Sequence, residues 1–255
     1  MRAVLREESG RGLPLLYVPG IDGTGELLLG TASRLAERFR LLRLAYCGDV
    51  GRARGGSPTY PELAASVAAL CDGLGIEACL VVAESFGGAV ALQLALDRPD
   101  LARGLLVVNS FAHYPARLRL AVARCTSPLV PRALFDLGRR WLAPRSLFGA
   151  RRDPGTVAAF RSLRGSFFDR AYRDRLAMIA GLDLRPRLGE LRQPVALFAG
   201  DHDRIVTSRR CMAEIHAGLP DSTLEIVPGG GHLILPLPDE PWPERLEGLA
   251  GRAGL

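Results

Sequence analysis

The chain contains no lysine: all 33 of its permanently cationic side chains are arginine, giving a net charge of +6 over 255 residues. Usage that lopsided fits coding bias alone, so arginine as a residue type identifies no partner. No apolar run approaches the roughly 18 residues of a spanning helix, which argues against a membrane-embedded protein. The opening MRAVLREESGRG turns polar too early to hold a secretory core, and no leader is expected. The five cysteines (Cys47, Cys71, Cys79, Cys125 and Cys211) are scattered, odd in number and never spaced as CxxC. That spacing supports neither a disulfide framework nor a zinc or redox motif, and the simple expectation is free thiols in a cytoplasmic location. Aromatic residues make up only 6% and there is no repeat or low-complexity tract. What is present, 48% hydrophobic and 24% charged residues, excludes a disordered chain, a collagen-like fibre and a disulfide-stapled miniprotein.

Short apolar runs alternate with longer amphipathic ones, the pattern of a parallel sheet with crossover helices. Strands are expected at Leu13–Val18, Arg40–Ala45, Cys79–Ala83, Gly104–Asn109, Val195–Ala199 and Thr223–Val227, with a weaker one at Ala3–Glu7. Several are nearly unbroken Val, Leu and Ala, as strands covered on both faces require. Helices are expected at Glu26–Phe39, Tyr60–Leu74, Phe86–Leu96 and Ser208–Ala217, with a short one at Arg245–Arg252. The rhythm breaks at 111–190, which reads as short helices punctuated by Pro115, Pro128, Pro131, Pro144, Pro154 and Pro186. The expected architecture is therefore α/β: a mostly parallel central sheet built from 1–110 and 191–255, with 111–190 as a helical cap insertion crossing one end.

Three stretches carry chemistry. In Leu80-Val81-Val82-Ala83-Glu84-Ser85-Phe86-Gly87-Gly88 a buried strand runs into a tight turn with serine at its tip and a helix directly after. This is the shape of a nucleophile elbow, which needs small residues two before and two after the serine; Ala83 and Gly87 meet that need. The bland alternative is a serine capping a helix after a strand. A serine hydroxyl becomes a useful nucleophile only when a base takes its proton, and that base needs an orienting carboxylate. Leu197-Phe198-Ala199-Gly200-Asp201-His202-Asp203 supplies a strand, a glycine turn and two acids, while Ile226-Val227-Pro228-Gly229-Gly230-Gly231-His232 supplies a strand and a glycine loop ending in histidine. Either feature alone would more often be a turn or a surface residue. Their joint occurrence in the order serine, acid, histidine, each beyond a strand's C-terminal end, favours catalysis.

On these motifs the chain resembles the α/β-hydrolase superfamily over nearly its whole length. The resemblance implies a triad of Ser85, His232 and Asp203, the acid falling three residues after Gly200; Asp201 is the runner-up. It also implies an oxyanion hole of two backbone N–H groups, from Phe86 after the nucleophile and from Ile21 in the loop Pro19-Gly20-Ile21-Asp22-Gly23-Thr24-Gly25. That wording, with Glu84-Ser85-Phe86-Gly87-Gly88, is similar to esterase and acyltransferase members acting on lipid esters. Serine in place of aspartate argues against haloalkane dehalogenase and epoxide hydrolase chemistry. A carboxylic ester or thioester hydrolase on an apolar acyl substrate is expected, with acyl transfer, perhydrolysis or a catalytically weak ligand-binding role as alternatives using the same fold. Gly20, Gly23 and Gly25 do not have dinucleotide spacing and no ligand-spaced cluster exists, so no cofactor, metal or nucleic acid is expected.

Charge is unevenly placed. Residues 111–190 hold 16 Arg against 6 acids and 9 of the 16 aromatic residues, while the rest of the chain is net −4. Apolar pairs such as Leu134-Phe135, Trp141-Leu142, Leu147-Phe148 and Phe167-Phe168 stand among those arginines. The combination suits an acyl chain with an anionic head or carrier: an acyl-CoA, an acyl carrier protein or an anionic lipid surface.

Overall fold

The structure is a computed structural model and describes residues 1–48, 58–126, 130–163 and 170–255. Seven strands form one sheet: β1 (Arg2–Ser9), β2 (Pro14–Val18), β3 (Arg40–Cys47), β4 (Cys79–Glu84), β5 (Ala102–Val108), β6 (Val195–Gly200) and β7 (Ser222–Val227), in the order β1-β3-β2-β4-β5-β6-β7. Only β1 runs antiparallel, on β3; every other pair is parallel. β4 and β6 are buried at every position, as their unbroken apolar runs dictate, whereas β7 alternates because it closes one edge. The other edge, β1, is guarded by charge: Glu8 pairs with Arg40 at 2.8 Å and Glu7 with Arg43.

Helices α1 (Thr31–Ala36), α2 (Tyr60–Gly73) and α3 (Phe86–Asp97) lie in the first half of the chain, and α9 (Ser208–Gly218) and α10 (Trp242–Ala253) in the last part. Two apolar clusters sandwich the sheet. One joins α2, α3 and α9 through Leu63, Val67, Leu92 and Ile215; the other joins α1 and α10 through Leu35, Trp242 and Leu246. Thr59 caps α2 in a reciprocal box with Glu62, with Pro61 in its first turn. Two expected helices differ. The stretch from Glu26 becomes helical only at Thr31, because Gly25 and Leu29 both adopt positive φ and turn the chain before it can wind. The last helix begins at Trp242, three residues earlier than expected, with Pro243 in its first turn, where a missing N–H costs nothing. The strand expected to be weak, at Ala3–Glu7, extends over eight residues.

Between β5 and β6 the chain forms α4 (Arg117–Thr126), α5 (Arg132–Trp141), α6 (Ala143–Phe148), α7 (Pro154–Ser162) and α8 (Arg170–Ala180), then a 3-10 turn at Arg185–Glu190. Phe167, Phe168 and the side chain of Phe135 lie outside the described residues. Among the described residues no helix is long and apolar enough to cross a membrane. All five cysteines are free, with Cys71, Cys79 and Cys211 buried.

Candidate active site

The parallel strands β2, β4, β5, β6 and β7 end along one edge of the sheet, and the chemistry-bearing residues stand on the loops leaving it. Ser85 occupies the turn between β4 and α3 at φ 54°, ψ −123°, a conformation that thrusts its side chain clear of both elements. The turn is tight because α3 nearly touches β2: a Cβ on Gly87 would lie 2.3 Å from the Val18 carbonyl oxygen. The Ser85 backbone is held on both sides, its N–H donating to Val108 O at 2.9 Å and its carbonyl accepting from Ser110 Oγ at 2.7 Å.

Asp203 follows the Gly200 turn after β6 and is 8% exposed. Its Oδ1 accepts the Ile205 amide at 2.7 Å, and its Oδ2 accepts from Ser208 Oγ and from His232 Nδ1, the latter at 2.8 Å. His232 ends the glycine loop after β7, and its Nε2 stands 3.0 Å from Ser85 Oγ. The glycines are required by crowding. A Cβ on Gly231 would meet the Gly149 nitrogen at 2.4 Å, and one on Gly200 would meet the Gly231 carbonyl at 2.3 Å. The structure thus brings Ser85, His232 and Asp203 into one hydrogen-bonded chain. Asp201 is exposed and is not part of it.

Burial raises a carboxyl pKa, but at Asp203 it is outweighed by the charge and hydrogen bond of His232 and by the Ser208 and Ile205 donors, so the group is held at about 2. Burial pulls the imidazole down, yet the charge and hydrogen bond of Asp203, with the field of Glu84, leave His232 above its usual value. Glu84 itself is 1% exposed. Burial pushes its carboxyl up to about 7 against the opposing hydrogen bond from the Tyr17 hydroxyl.

Ile21 lines the same cavity as Ser85, in the loop after β2. That loop is shaped by Asp22, whose Oδ2 accepts the Thr24 amide at 2.8 Å, and by a Gly23 amide bond to Gly20 O at 3.1 Å. Phe86 opens α3 at its first position, where a backbone amide has no intrahelical acceptor. Sequence reasoning gave Asn109 no role beyond ending an expected strand. It adopts φ 47° at the end of β5 and is fully buried. Its side chain accepts the Gly200 amide at 2.8 Å and donates to the carbonyls of Gly231 and His232 at 3.0 and 2.8 Å. An asparagine just beyond a strand, where positive φ is tolerated, was the available signal.

Above Ser85 and His232 lies a cavity of about 990 Å³ whose walls include Leu120, Leu142, Phe160, Leu176 and Ile179 from the segment between β5 and β6. Among the described residues no three His, Cys, Asp or Glu side chains converge to hold a metal ion.

The family model of the alpha/beta hydrolase fold matches residues 14–238. The protein named "Putative carbamate hydrolase RutD" of Azorhizobium caulinodans is 26% identical over 257 residues, covering 96% of this chain and 94% of its own. The namesake from a Caulobacter species is 28% identical over 226 residues, covering 84% and 81%. Among solved structures, the enol-lactonase of Burkholderia xenovorans superposes with a TM-score of 0.81 at 17% identity, covering 98% of this chain and 96% of that one. A thermophilic esterase of Thermogutta terrifontis superposes at 0.79 with 20% identity, covering 99% and 94%. With a sheet of this order and a family match spanning most of its length, the chain belongs to the alpha/beta hydrolase fold family.

Proposed function

We propose that the protein is a serine hydrolase that cleaves a carboxylic ester or thioester through an acyl-enzyme on Ser85. The observation that carries this reading is the chain Ser85 Oγ to His232 Nε2 at 3.0 Å and His232 Nδ1 to Asp203 Oδ2 at 2.8 Å. In the first half-reaction Ser85 Oγ bonds to the substrate carbonyl carbon and its proton passes to His232 Nε2. The carbonyl π pair moves onto oxygen, held by the Ile21 and Phe86 amides. As that pair returns, the alcohol or thiol departs, taking the proton from His232. Water then attacks the acyl-enzyme with His232 again as base, releasing the carboxylic acid and restoring Ser85. Asp203, already ionised, holds the tautomer and stabilises the imidazolium.

The walls support this substrate class. We read 1–110 and 191–255 as the catalytic core and 111–190 as a helical cap, and the cap supplies an apolar lining suited to an acyl chain. Leu118 and Val122 on α4 and Leu142 after α5 line this cavity and are more than half exposed, as are Leu134, Leu137 and Trp141 on α5. Together with the segment's excess of arginine, this favours an acyl group carried on an anionic head, carrier or lipid surface.

A carbamate is the second reading, favoured by the name of the relatives at 24–28% identity. Its carbonyl would meet the same nucleophile, but a small carbamate would leave most of the cavity unfilled. The test is a panel of p-nitrophenyl esters from acetate to palmitate, acyl-thioesters and small carbamates, with fluorophosphonate labelling of Ser85. Turnover rising with acyl length supports the ester reading. Labelling with turnover confined to carbamates replaces it, and no labelling of Ser85 removes both.

A further inference from the structure

Arg175, on α8, is 1% exposed, a rare setting for a side chain that is permanently charged. Its Nε donates to the Ile21 carbonyl at 2.6 Å and its Nη2 to the Asp22 carbonyl at 3.2 Å, reaching 154 and 153 residues back along the chain. Three other carbonyls of this loop are satisfied from nearer by. Pro19 O accepts from the Tyr46 hydroxyl at 2.9 Å, Gly20 O from the Gly23 amide at 3.1 Å, and Gly23 O from the Tyr46 amide at 2.8 Å. The two central carbonyls are thus held by a helix that belongs to another part of the fold. Gly23 leaves room for that contact: a Cβ there would stand 3.0 Å from Arg175 Nη1.

The same helix forms part of the cavity wall. Tyr172, Leu176 and Ile179, at positions −3, +1 and +4 from Arg175, line the space above Ser85. These side chains face the space an acyl chain would fill, and through Arg175 α8 holds the peptide units beside the Ile21 amide. A guanidinium is suited to this role because its planar fork fixes two acceptors at once, which a lysine ammonium does not.

Resting on the reading of Ile21 as an oxyanion donor, we propose that Arg175 is a positioning residue that couples filling of the apolar cavity to the placement of the Ile21 amide. Contacts made far from the scissile bond are then expressed in the turnover step rather than only in binding. An acyl chain too short to reach α8 forgoes this gain, so selection for chain length is exerted in kcat.

The test uses Arg175→Met and Arg175→Lys, assayed on p-nitrophenyl esters from acetate to laurate, with folding checked by circular dichroism and thermal melting. In the native protein kcat rises with chain length. In Arg175→Met that rise is lost and kcat on laurate falls about 100-fold, the scale of a misplaced oxyanion donor, while KM moves less than about threefold. Affinity for a trifluoromethyl ketone analogue of the tetrahedral intermediate falls in parallel, and affinity for the free fatty acid does not. Arg175→Lys recovers little. Unchanged kcat, or a loss confined to KM, overturns the proposal. Should neither variant fold, Leu176→Ala combined with Ile179→Ala leaves Arg175 in place: kcat must flatten across the series, and a change in KM alone overturns it. If Ser85 of the native protein resists fluorophosphonate, it is the parent reading that fails; a labelled Ser85 with an unaffected Arg175→Met removes only the coupling.

Discussion

The side-chain amide of Asn109 donates to the main-chain carbonyl of His232 at 2.8 Å while its oxygen accepts the Gly200 amide, also at 2.8 Å. One buried residue at the end of β5 therefore ties the loop that carries the histidine to the strand end that launches Asp203. Asn109→Ala leaves three backbone groups unpaired in a sealed site, at a cost of about 2–4 kcal/mol. Because the loops are then free to drift, kcat should fall at least about tenfold even at temperatures where the variant is folded. Denaturant unfolding and steady-state kinetics on one ester check both halves. Native-like stability together with full activity would show that the loops are set elsewhere.

Substitution within the triad should separate the two neighbouring acids. Ser85→Ala is expected to lower ester turnover by about three orders of magnitude with the fold intact, and His232→Ala by nearly as much. Asp203→Asn should follow them, since its Oδ2 is the acceptor of His232 Nδ1. Asp201→Asn should stay within about twofold, because that side chain is exposed and outside the hydrogen-bonded chain. A larger loss at Asp201 than at Asp203 would reassign the acid.

The strands were legible because burial on two faces leaves them almost no polar residues: Cys79–Glu84 and Val195–Gly200 depart from expectation by one residue each. Ser85, Asp203 and His232 were legible because each stands just past such a strand, in an order the fold imposes. Asn109 was not, since its role lies in three backbone contacts, two of them to residues more than 120 positions away, and the local signal, an asparagine at a strand end, does not name those partners. Arg175 was hidden differently. Among 16 arginines in residues 111–190, sequence offers no means to recognise that Arg175 folds inward. The late start of α1 was missed because Leu27 and Leu28 fit a helical pattern, while the turn is set by the positive φ of Leu29.

The pH profile should carry the signature of the imidazole. A protonated His232 cannot take the serine proton, so kcat/KM is lost on the acid side and rises with pH through the His232 pKa. That pKa is held up by Asp203, so the acid limb should lie above the usual imidazole value of 6.5. In Asp203→Asn the support is gone and burial alone acts, so the limb of the residual activity should move to lower pH. A limb that moves upward, or does not move, contradicts the assignment of Asp203.

Glu84 predicts a stability effect of opposite sense to an ordinary salt-bridged acid. Its folded-state carboxyl is raised from 4.5 to about 7 by burial. Between those values the unfolded chain releases the proton while the folded chain keeps it, so stability falls as pH rises through the window, and the penalty is complete above it. Glu84→Gln keeps an acceptor for the Tyr17 hydroxyl and removes the titration. It should be more stable than the native protein at about pH 8, by up to about 3 kcal/mol at roughly 1.4 kcal/mol per unit, and no more stable near pH 4. Urea midpoints at the two pH values decide it; a gain of equal size at both would point to packing instead of charge.

The basic segment makes the last prediction. Residues 111–190 are net +10, and Arg117, Arg140 and Arg145 are exposed beside the apolar side chains of Leu118, Trp141 and Leu142. Not every arginine there is available to a ligand: Arg151 is engaged by Asp239 and Glu240. A field of this sign concentrates anionic substrates and is screened by salt over a Debye length of about 8 Å at physiological strength. For a lauroyl-CoA thioester kcat/KM should therefore fall about tenfold or more between low and high salt, while a neutral lauroyl ester of equal chain length barely responds. Replacing Arg117 and Arg145 together with glutamine should flatten the salt dependence for the thioester and leave the neutral ester as it was, since neither side chain borders Ser85. Equal salt responses for the two substrates would show that the charge serves only to solvate the helices, and that the apolar wall alone selects the substrate.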